Sequence, residues 1–171
     1  MKNIELKISI DNFKKIIPIL RKIGAGYDGK LHQVDIYYNY KDGRLKLRNT
    51  NNKDFELIFY QRPNKCNAKI SNYQILYIEP KKFKDFKSNL KNTLGEKVVV
   101  KKERNLWIYK NTRIHLDRVE RLGKFLELET VVKKNFKQAQ KEYNEIIKRL
   151  NLSKYKKWDK SYSDLLLSKV N

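Results

Sequence analysis

Carboxylates and strongly basic side chains recur at every second position in several short segments. Glu5 and Lys7 are spaced this way, as are Arg44, Lys46 and Arg48, then Tyr60 and Arg62. The same holds for Lys102 and Arg104, for Arg113, His115 and Asp117, and for Glu127 and Glu129. A period of two puts each group on one face of a strand. Most positions between or beside them are apolar: Leu6, Leu45, Leu47, Ile114, Leu116, Leu126 and Leu128. The signs also segregate, with carboxylates on the first and last of these segments and cations on those between. An ordinary wetted sheet pairs opposite signs across neighbouring strands. If the apolar faces turn outward under helices, the charged faces line an interior that needs a charged occupant. A polyphosphate held with a divalent cation fits that interior. Carboxylates bind hard Mg²⁺ or Mn²⁺ through oxygen, while Arg and Lys clamp phosphate oxygens. Glu127 and Glu129 stand about 7 Å apart on their shared face, a spacing one hydrated cation bridges.

The segments that position these groups read mostly as strands. Asn3 to Ile10 alternate, with Ile4, Leu6, Ile8 and Ile10 on the apolar side. Asp11 is a candidate helix N-cap for a helical run through Phe13, Ile16, Leu20 and Ile23, with Pro18 expected to kink or shorten it. Further strands are expected over 31–40, 44–48, 55–62 and 70–78, with an Asp42-Gly43 hairpin turn between the first two. A stripe of Phe83, Phe86, Leu90 and Leu94 predicts an amphipathic helix over 81–94. Three more strands follow, through Val98 to Tyr109, Arg113 to Asp117 and Phe125 to Glu129. Helices over 135–150 and 160–168 end the chain. The Gly24-Ala25-Gly26 triplet reads as a turn. The expected class is α+β: an eight-stranded antiparallel β-barrel or strongly curled sheet with a few amphipathic helices packed outside. A length of 171 residues, with no break in composition, predicts one domain over 1–171.

Composition narrows the classes. The chain carries 40 Lys and Arg against 19 Asp and Glu, a net charge of +21, which favours anionic partners. Most of that excess is lysine, which serves as solvating surface, so the arginines are the more informative cations. Cys66 is the only cysteine, which excludes a disulfide within the chain and a cysteine-ligated zinc or iron–sulfur site. No apolar run reaches membrane-spanning length, and the start has no signal-peptide pattern, so a cytoplasmic protein with no membrane partner is expected. The Lys-rich helices lack interleaved exposed aromatics, so nucleic acid is not the expected partner. No phosphate-binding loop of the Walker type is present.

Taken in order, the motifs resemble those of the CYTH, or triphosphate tunnel metalloenzyme, family, and within it the class IV adenylate cyclases. The resemblance runs through Asn3-Ile4-Glu5-Leu6-Lys7, Gln33-Val34-Asp35-Ile36-Tyr37 and Gly43-Arg44-Leu45-Lys46-Leu47-Arg48. It continues through Tyr60-Gln61-Arg62-Pro63, Lys102-Glu103-Arg104, Arg113-Ile114-His115-Leu116-Asp117 and Phe125-Leu126-Glu127-Leu128-Glu129. It ends at Ser161-Tyr162-Ser163-Asp164-Leu165-Leu166 and covers nearly the whole chain. It implies an eight-stranded tunnel that binds a triphosphate with Mg²⁺ or Mn²⁺. The family's opening motif is Glu-x-Glu-x-Lys, and here its first Glu is Asn3, which removes one carboxylate from the metal wall.

With that resemblance, Glu5, Glu127, Glu129 and Asp117 are the expected metal ligands. Lys7, Arg44, Lys46, Arg48, Arg62, Lys102, Arg104 and Arg113 are the expected phosphate contacts. Lys7 and Asp117 are the candidates for a catalytic role, and His115 is read as lumen filler. The expected partner is a small triphosphate such as ATP or inorganic triphosphate, held by a monomer or homodimer. Two reactions fit one tunnel: hydrolysis of inorganic, nucleoside or thiamine triphosphate, and cyclisation of ATP to cyclic AMP and pyrophosphate. A non-catalytic triphosphate- or nucleotide-binding module is the third reading, favoured by Asn3.

Overall fold

The alternation at the start of the chain becomes strand β1 (Asn3–Ser9), with Ile4, Leu6 and Ile8 buried on one side and Glu5 and Lys7 on the other. The computed structural model describes residues 3–61, 72–133 and 135–169. The remaining strands are β2 (Gly26–Tyr38), β3 (Arg44–Thr50), β4 (Asp54–Gln61), β5 (Asn72–Ile78), β6 (Glu96–Tyr109), β7 (Thr112–Val119) and β8 (Gly123–Val131). The helices are α1 (Ile16–Lys22), α2 (Phe83–Leu94), α3 (Phe136–Arg149) and α4 (Tyr162–Leu167). The eight strands form one sheet in the order β1-β8-β7-β6-β2-β3-β4-β5, antiparallel throughout. None of the described helices is long and apolar enough to cross a membrane.

One cavity of about 940 Å³ touches lumen-facing residues from all eight strands, from Glu5 on β1 to Tyr77 on β5. The sheet therefore curls into a tunnel. Among the described residues its edges, β1 and β5, are not hydrogen-bonded to one another, so the tunnel keeps a seam. At one end the C-terminal segment lies along the β1 edge. Lys157 forms a bridge with Ile8, and the Trp158 N–H donates to the Lys7 carbonyl at 2.8 Å.

The apolar faces point outward, as the alternation requires. Helices α1 and α3 cover β1, β6, β7 and β8, burying Leu20, Leu116, Leu126, Leu128 and Ile146 in one cluster. Helix α2 lays Phe83, Phe86, Leu90 and Leu94 against Ile36, Leu47 and Phe55 on the outside of β2, β3 and β4. A third cluster lies inside. Tyr162, Leu165 and Leu166 of α4 pack with Tyr37, Tyr60, Val100 and Phe125, which stops one mouth of the tunnel. Ser161 and Asp164 form a reciprocal capping box that starts α4 at that point.

Two local expectations differ from the structure. Asp11 does not cap α1, which begins only at Ile16 and has no side-chain cap. Pro18 falls in its first turn, where the missing N–H has no intrahelical acceptor in any case, so no kink is needed. Strand β2 starts at Gly26 instead of near residue 31. Its register with β6 shifts between Tyr27 and Gly29, and the bulge there breaks the alternation that marks the rest of the strand.

Candidate active site in the tunnel

The register brings the charged faces together as two opposed walls. On one side β2, β3 and β6 supply Asp35, Lys46, Arg48 and Lys102. Asp35 is 1% exposed and is the hub of this wall. Its carboxylate accepts from Arg48 Nε at 2.6 Å and Nη2 at 2.9 Å, from Lys102 Nζ at 3.0 Å and from Lys46 Nζ at 3.1 Å. Burial alone would raise its acid dissociation constant's pKa, but Arg48, Lys102 and Lys46 outweigh burial and hold the carboxyl well below the usual carboxylate range. Three cations share this one carboxylate, so they also crowd each other. Burial, then the Arg48 charge, brings the Lys46 ammonium down to about 7, and Asp35 offsets only part of that. Lys102 is lowered for the same leading reason, burial.

The opposite wall comes from β1, β7 and β8. Cross-strand pairing sets Lys7 beside Glu127 and Glu5 beside Glu129, with His115 and Arg113 next in the same rows. Lys7 Nζ lies 2.9 Å from Glu127, and Arg113 donates to Glu129 at 2.7 and 3.0 Å. Burial raises Glu129, but His115, Arg113 and Arg104 outweigh it and bring the group down to about 2. Arg104 joins the walls. It forks onto Asp117 at 2.6 and 2.7 Å and reaches Glu127 at 2.8 Å.

His115, Glu127 and Glu129 offer one ligand atom each, all within 4.8 Å of one another. His115 Nδ1 is buried without a hydrogen-bond partner among the described residues, 3.7 Å from Glu127 and 3.8 Å from Glu129. Those distances are too long for hydrogen bonds. An orphaned ring nitrogen between two ionised carboxylates is a donor set that fits a divalent cation, and Glu5 lines the same cavity beside it. Asn3 is 1% exposed, lines the cavity as well, and its Oδ1 has no hydrogen-bond partner among the described residues.

Several expected site residues sit differently. Asp117 is fully buried under the α4 plug, with its oxygens engaged by Arg104 and by the Tyr162 hydroxyl at 3.0 Å, and it falls outside the metal-ligand cluster. Arg44 does not line the main cavity; it donates to Asp164 of α4 at 2.7 Å. Arg62 lies outside the described residues. Lys7, Lys46, Arg48, Lys102, Arg104 and Arg113 all line the cavity, as do Glu5, Glu127 and Glu129. Asp35 was not among the expected site residues, although its segment carried part of the resemblance. Its signal was a lone acid between Val34 and Ile36 in a strand otherwise free of charge after Lys30.

The wall is less basic than the chain. The described lining residues include seven cations, Lys7, Lys46, Arg48, Lys102, Arg104, Arg113 and Lys157, against six carboxylates, Glu5, Asp35, Glu56, Glu127, Glu129 and Asp159. Most of the net +21 therefore sits outside the tunnel. Among the described residues the lumen is set apart by the arrangement of its charges and not by a large excess of one sign.

A curled eight-stranded sheet whose lumen carries opposed acidic and basic walls defines a tunnel protein built around charged ligands. The chain belongs to the CYTH domain family, which matches residues 1–162. That family is metal-dependent and binds triphosphate substrates. Over 179 residues the chain is 31% identical to a Methanocaldococcus jannaschii protein whose name proposes adenylate cyclase activity, covering 96% of this chain and 98% of that one. A Pyrococcus horikoshii protein of known structure superposes with a TM-score of 0.81 at 26% identity, covering 95% of this chain and 98% of that one. A Vibrio parahaemolyticus protein, also named as a proposed adenylate cyclase, has a TM-score of 0.74 at 17% identity over 98% of each chain, which is a likeness of fold alone.

Proposed function

We propose that the tunnel binds a triphosphate together with a divalent cation and hydrolyses it. The observation that carries this reading is the pair of facing walls: the Asp35-centred cations on one side of a single cavity, and His115, Glu127 and Glu129 on the other. The wall's near balance of charge makes the cation necessary. A triphosphate brings several negative charges into a lining whose described residues have an excess of one positive group, and a bound divalent cation would offset part of the difference. Glu127, Glu129 and His115 would hold it, with Glu5 nearby. Two carboxylates and an imidazole suit Mn²⁺ better than Mg²⁺, which takes oxygen donors almost exclusively. When bound, the cation would neutralise phosphate charge and orient the reacting groups.

The chain's own part is positioning and electrostatics, which dominate phosphoryl transfer. Lys46, Arg48 and Lys102 clamp phosphate oxygens from one wall, and Arg113 and Lys7 from the other. Arg104 spans both walls, and Asp117 holds its guanidinium flat by two hydrogen bonds. Asp117 is thus a positioning residue, and the Tyr162 hydroxyl fixes it in turn. Arg44 ties the α4 plug to β3 through Asp164. In hydrolysis, a water oxygen bonds to the terminal phosphorus as the bridging P–O bond breaks, which leaves orthophosphate and a diphosphate.

Cyclisation of ATP is the second reading, favoured by the name of the relative at 31% identity. A product assay with Mg²⁺ or Mn²⁺ separates the readings. The substrates are ATP, GTP, inorganic triphosphate and thiamine triphosphate. Orthophosphate supports the first reading and cyclic AMP with pyrophosphate the second. Binding without product makes the protein a triphosphate- or nucleotide-binding module.

Lys46 makes a separate prediction. With a pKa of about 7 the ammonium is only partly charged near neutrality. Phosphate oxygens favour the charged form, so triphosphate binding at pH 8 should take up part of a proton, and affinity should fall as pH rises above 7. Calorimetry at pH 8 in two buffers of different ionisation enthalpy reads the uptake. Lys46→Arg, which stays charged, should show less uptake than wild type. Equal uptake in the two proteins would remove Lys46 from the phosphate site.

A further inference from the structure

The α4 plug reaches further into the site than a stopper needs to. Leu165 and Leu166 supply apolar bulk at that mouth, and both are buried. Tyr162, on the same helix, is buried as well, yet it lines the cavity. Its ring packs edge-on with Phe125, at 5.1 Å between centroids. Two lumen lysines stand over that ring. Lys7 Nζ, from β1, lies 4.1 Å from its centroid, and Lys102 Nζ, from β6, lies 5.9 Å from it. Both lysine side chains are buried. An ammonium within about 6 Å of an aromatic face is attracted by the ring's quadrupole, more strongly where water is excluded. The Tyr162 hydroxyl donates to Asp117, which in turn accepts both bonds of the Arg104 fork. One side chain therefore reaches three of the cations expected to hold phosphate, two through its ring and one through Asp117.

The other contacts of Lys7 show why a ring matters there. Lys7 Nζ lies 2.9 Å from Glu127 and donates to the Lys160 carbonyl at 3.3 Å. Glu127 is also one of the three donors of the candidate cation cluster. A cation held by Glu127 would weaken that carboxylate's grip on Lys7. The Tyr162 ring and the Lys160 carbonyl would remain, and both come from the C-terminal segment. Pairing of Lys157 with Ile8, and the bond from the Trp158 N–H to the Lys7 carbonyl, hold that segment beside the lysine. A ring and a carbonyl are neutral. They fix an ammonium in place and leave its whole charge to a phosphate oxygen, which a carboxylate partner does not.

We infer that Tyr162 is a positioning residue for the phosphate clamp: its ring face seats the Lys7 and Lys102 ammoniums while its hydroxyl braces Asp117 and, through it, Arg104. The α4 plug thus completes the site as well as stopping the mouth. This rests on the triphosphate reading above and assigns to that site a residue from outside the strands.

The test measures dissociation constants for the β,γ-imido analogue of ATP, which resists hydrolysis, with Mn²⁺ present. Wild type is compared with Tyr162→Phe and with a protein carrying pentafluorophenylalanine at position 162. Tyr162→Phe removes the hydroxyl and keeps the ring. The fluorinated ring keeps nearly the same shape, but its fluorines withdraw the electron density that attracts a cation. Both rings fill the plug, so near-ultraviolet circular dichroism should show the fold retained. Tyr162→Phe should weaken binding by about 2- to 10-fold, the loss of one hydrogen bond. The fluorinated ring should weaken it by roughly 3- to 30-fold more, the span of a cation–ring contact. A plug that acts by bulk alone would not distinguish the two rings. Equal affinity in the Phe and fluorinated proteins overturns the seat, and wild-type affinity in Tyr162→Phe overturns the brace. Either result leaves the triphosphate reading intact. If the analogue does not bind wild type, the triphosphate reading fails and the positioning role falls with it.

Discussion

Glu129→Gln is expected to lower cation-dependent turnover by a factor of 10² or more and to leave the protein folded. Glu129 belongs to the only cluster among the described residues in which three His or carboxylate donors converge. An amide of the same shape keeps one oxygen but removes the charge that a divalent cation requires. Mn²⁺ affinity, measured by titration without substrate, should fall with turnover. The strand pattern alone suggests that losing a lumen carboxylate relieves repulsion and costs no stability. The ion pairs reverse that sign, because Glu129 is held at about 2 by His115, Arg113 and Arg104 against the opposing effect of burial. Its unfolded value is 4.5, so ionised Glu129 stabilises the fold above about pH 4.5, and that contribution is lost as pH falls toward 2. Arg113 is partly exposed, which limits the cost of the variant at pH 7 to about 1–2 kcal/mol. The stability gap to wild type should close as pH drops below 4.5. Normal turnover and normal Mn²⁺ affinity in a folded Glu129→Gln protein would remove the residue from the cation site.

The faces of the strands were legible because a period of two leaves no freedom once one face is apolar. Leu126 and Leu128 must go under the helices, so Glu127 must face the lumen. The roles of the lumen residues were less legible, since parity places a side chain on a face without saying what it touches there. Arg113, His115 and Asp117 share one parity. Arg113 pairs with a carboxylate, His115 joins the candidate cation cluster, and Asp117 braces an arginine from behind. Asp35 shows the same limit. Its partners lie 11, 13 and 67 residues away on two other strands, and only the register of β2 with β3 and β6 brings them to it. The seam was hidden for a related reason. Whether β1 meets β5 depends on how the sheet curls, which alternation within single strands does not encode.

Asp35→Asn is expected to have the largest effect on stability of any single substitution in the tunnel. Asp35 is the shared counter-charge for Lys46, Arg48 and Lys102, and the two lysines are themselves buried. Removing one partner of a buried ion cluster leaves uncompensated charge, which typically costs about 3–5 kcal/mol. For a chain of this size that corresponds to a melting temperature lower by about 6–20 °C. Two secondary signatures distinguish this from a packing defect. First, Lys46 already sits at about 7 and Lys102 is lowered too, so both can shed protons to relieve the crowding. In the variant the main offset to their mutual repulsion is gone, so the loss of stability should be smaller at pH 9 than at pH 6. Second, a triphosphate supplies the missing negative charge from the lumen side. It should raise the melting temperature of Asp35→Asn by more than it raises that of wild type. A fall of less than about 4 °C would mean that the carboxylate is not what holds the cationic wall together. A fall that is the same at both pH values and unaffected by triphosphate would assign the effect to packing around β2 instead of to charge.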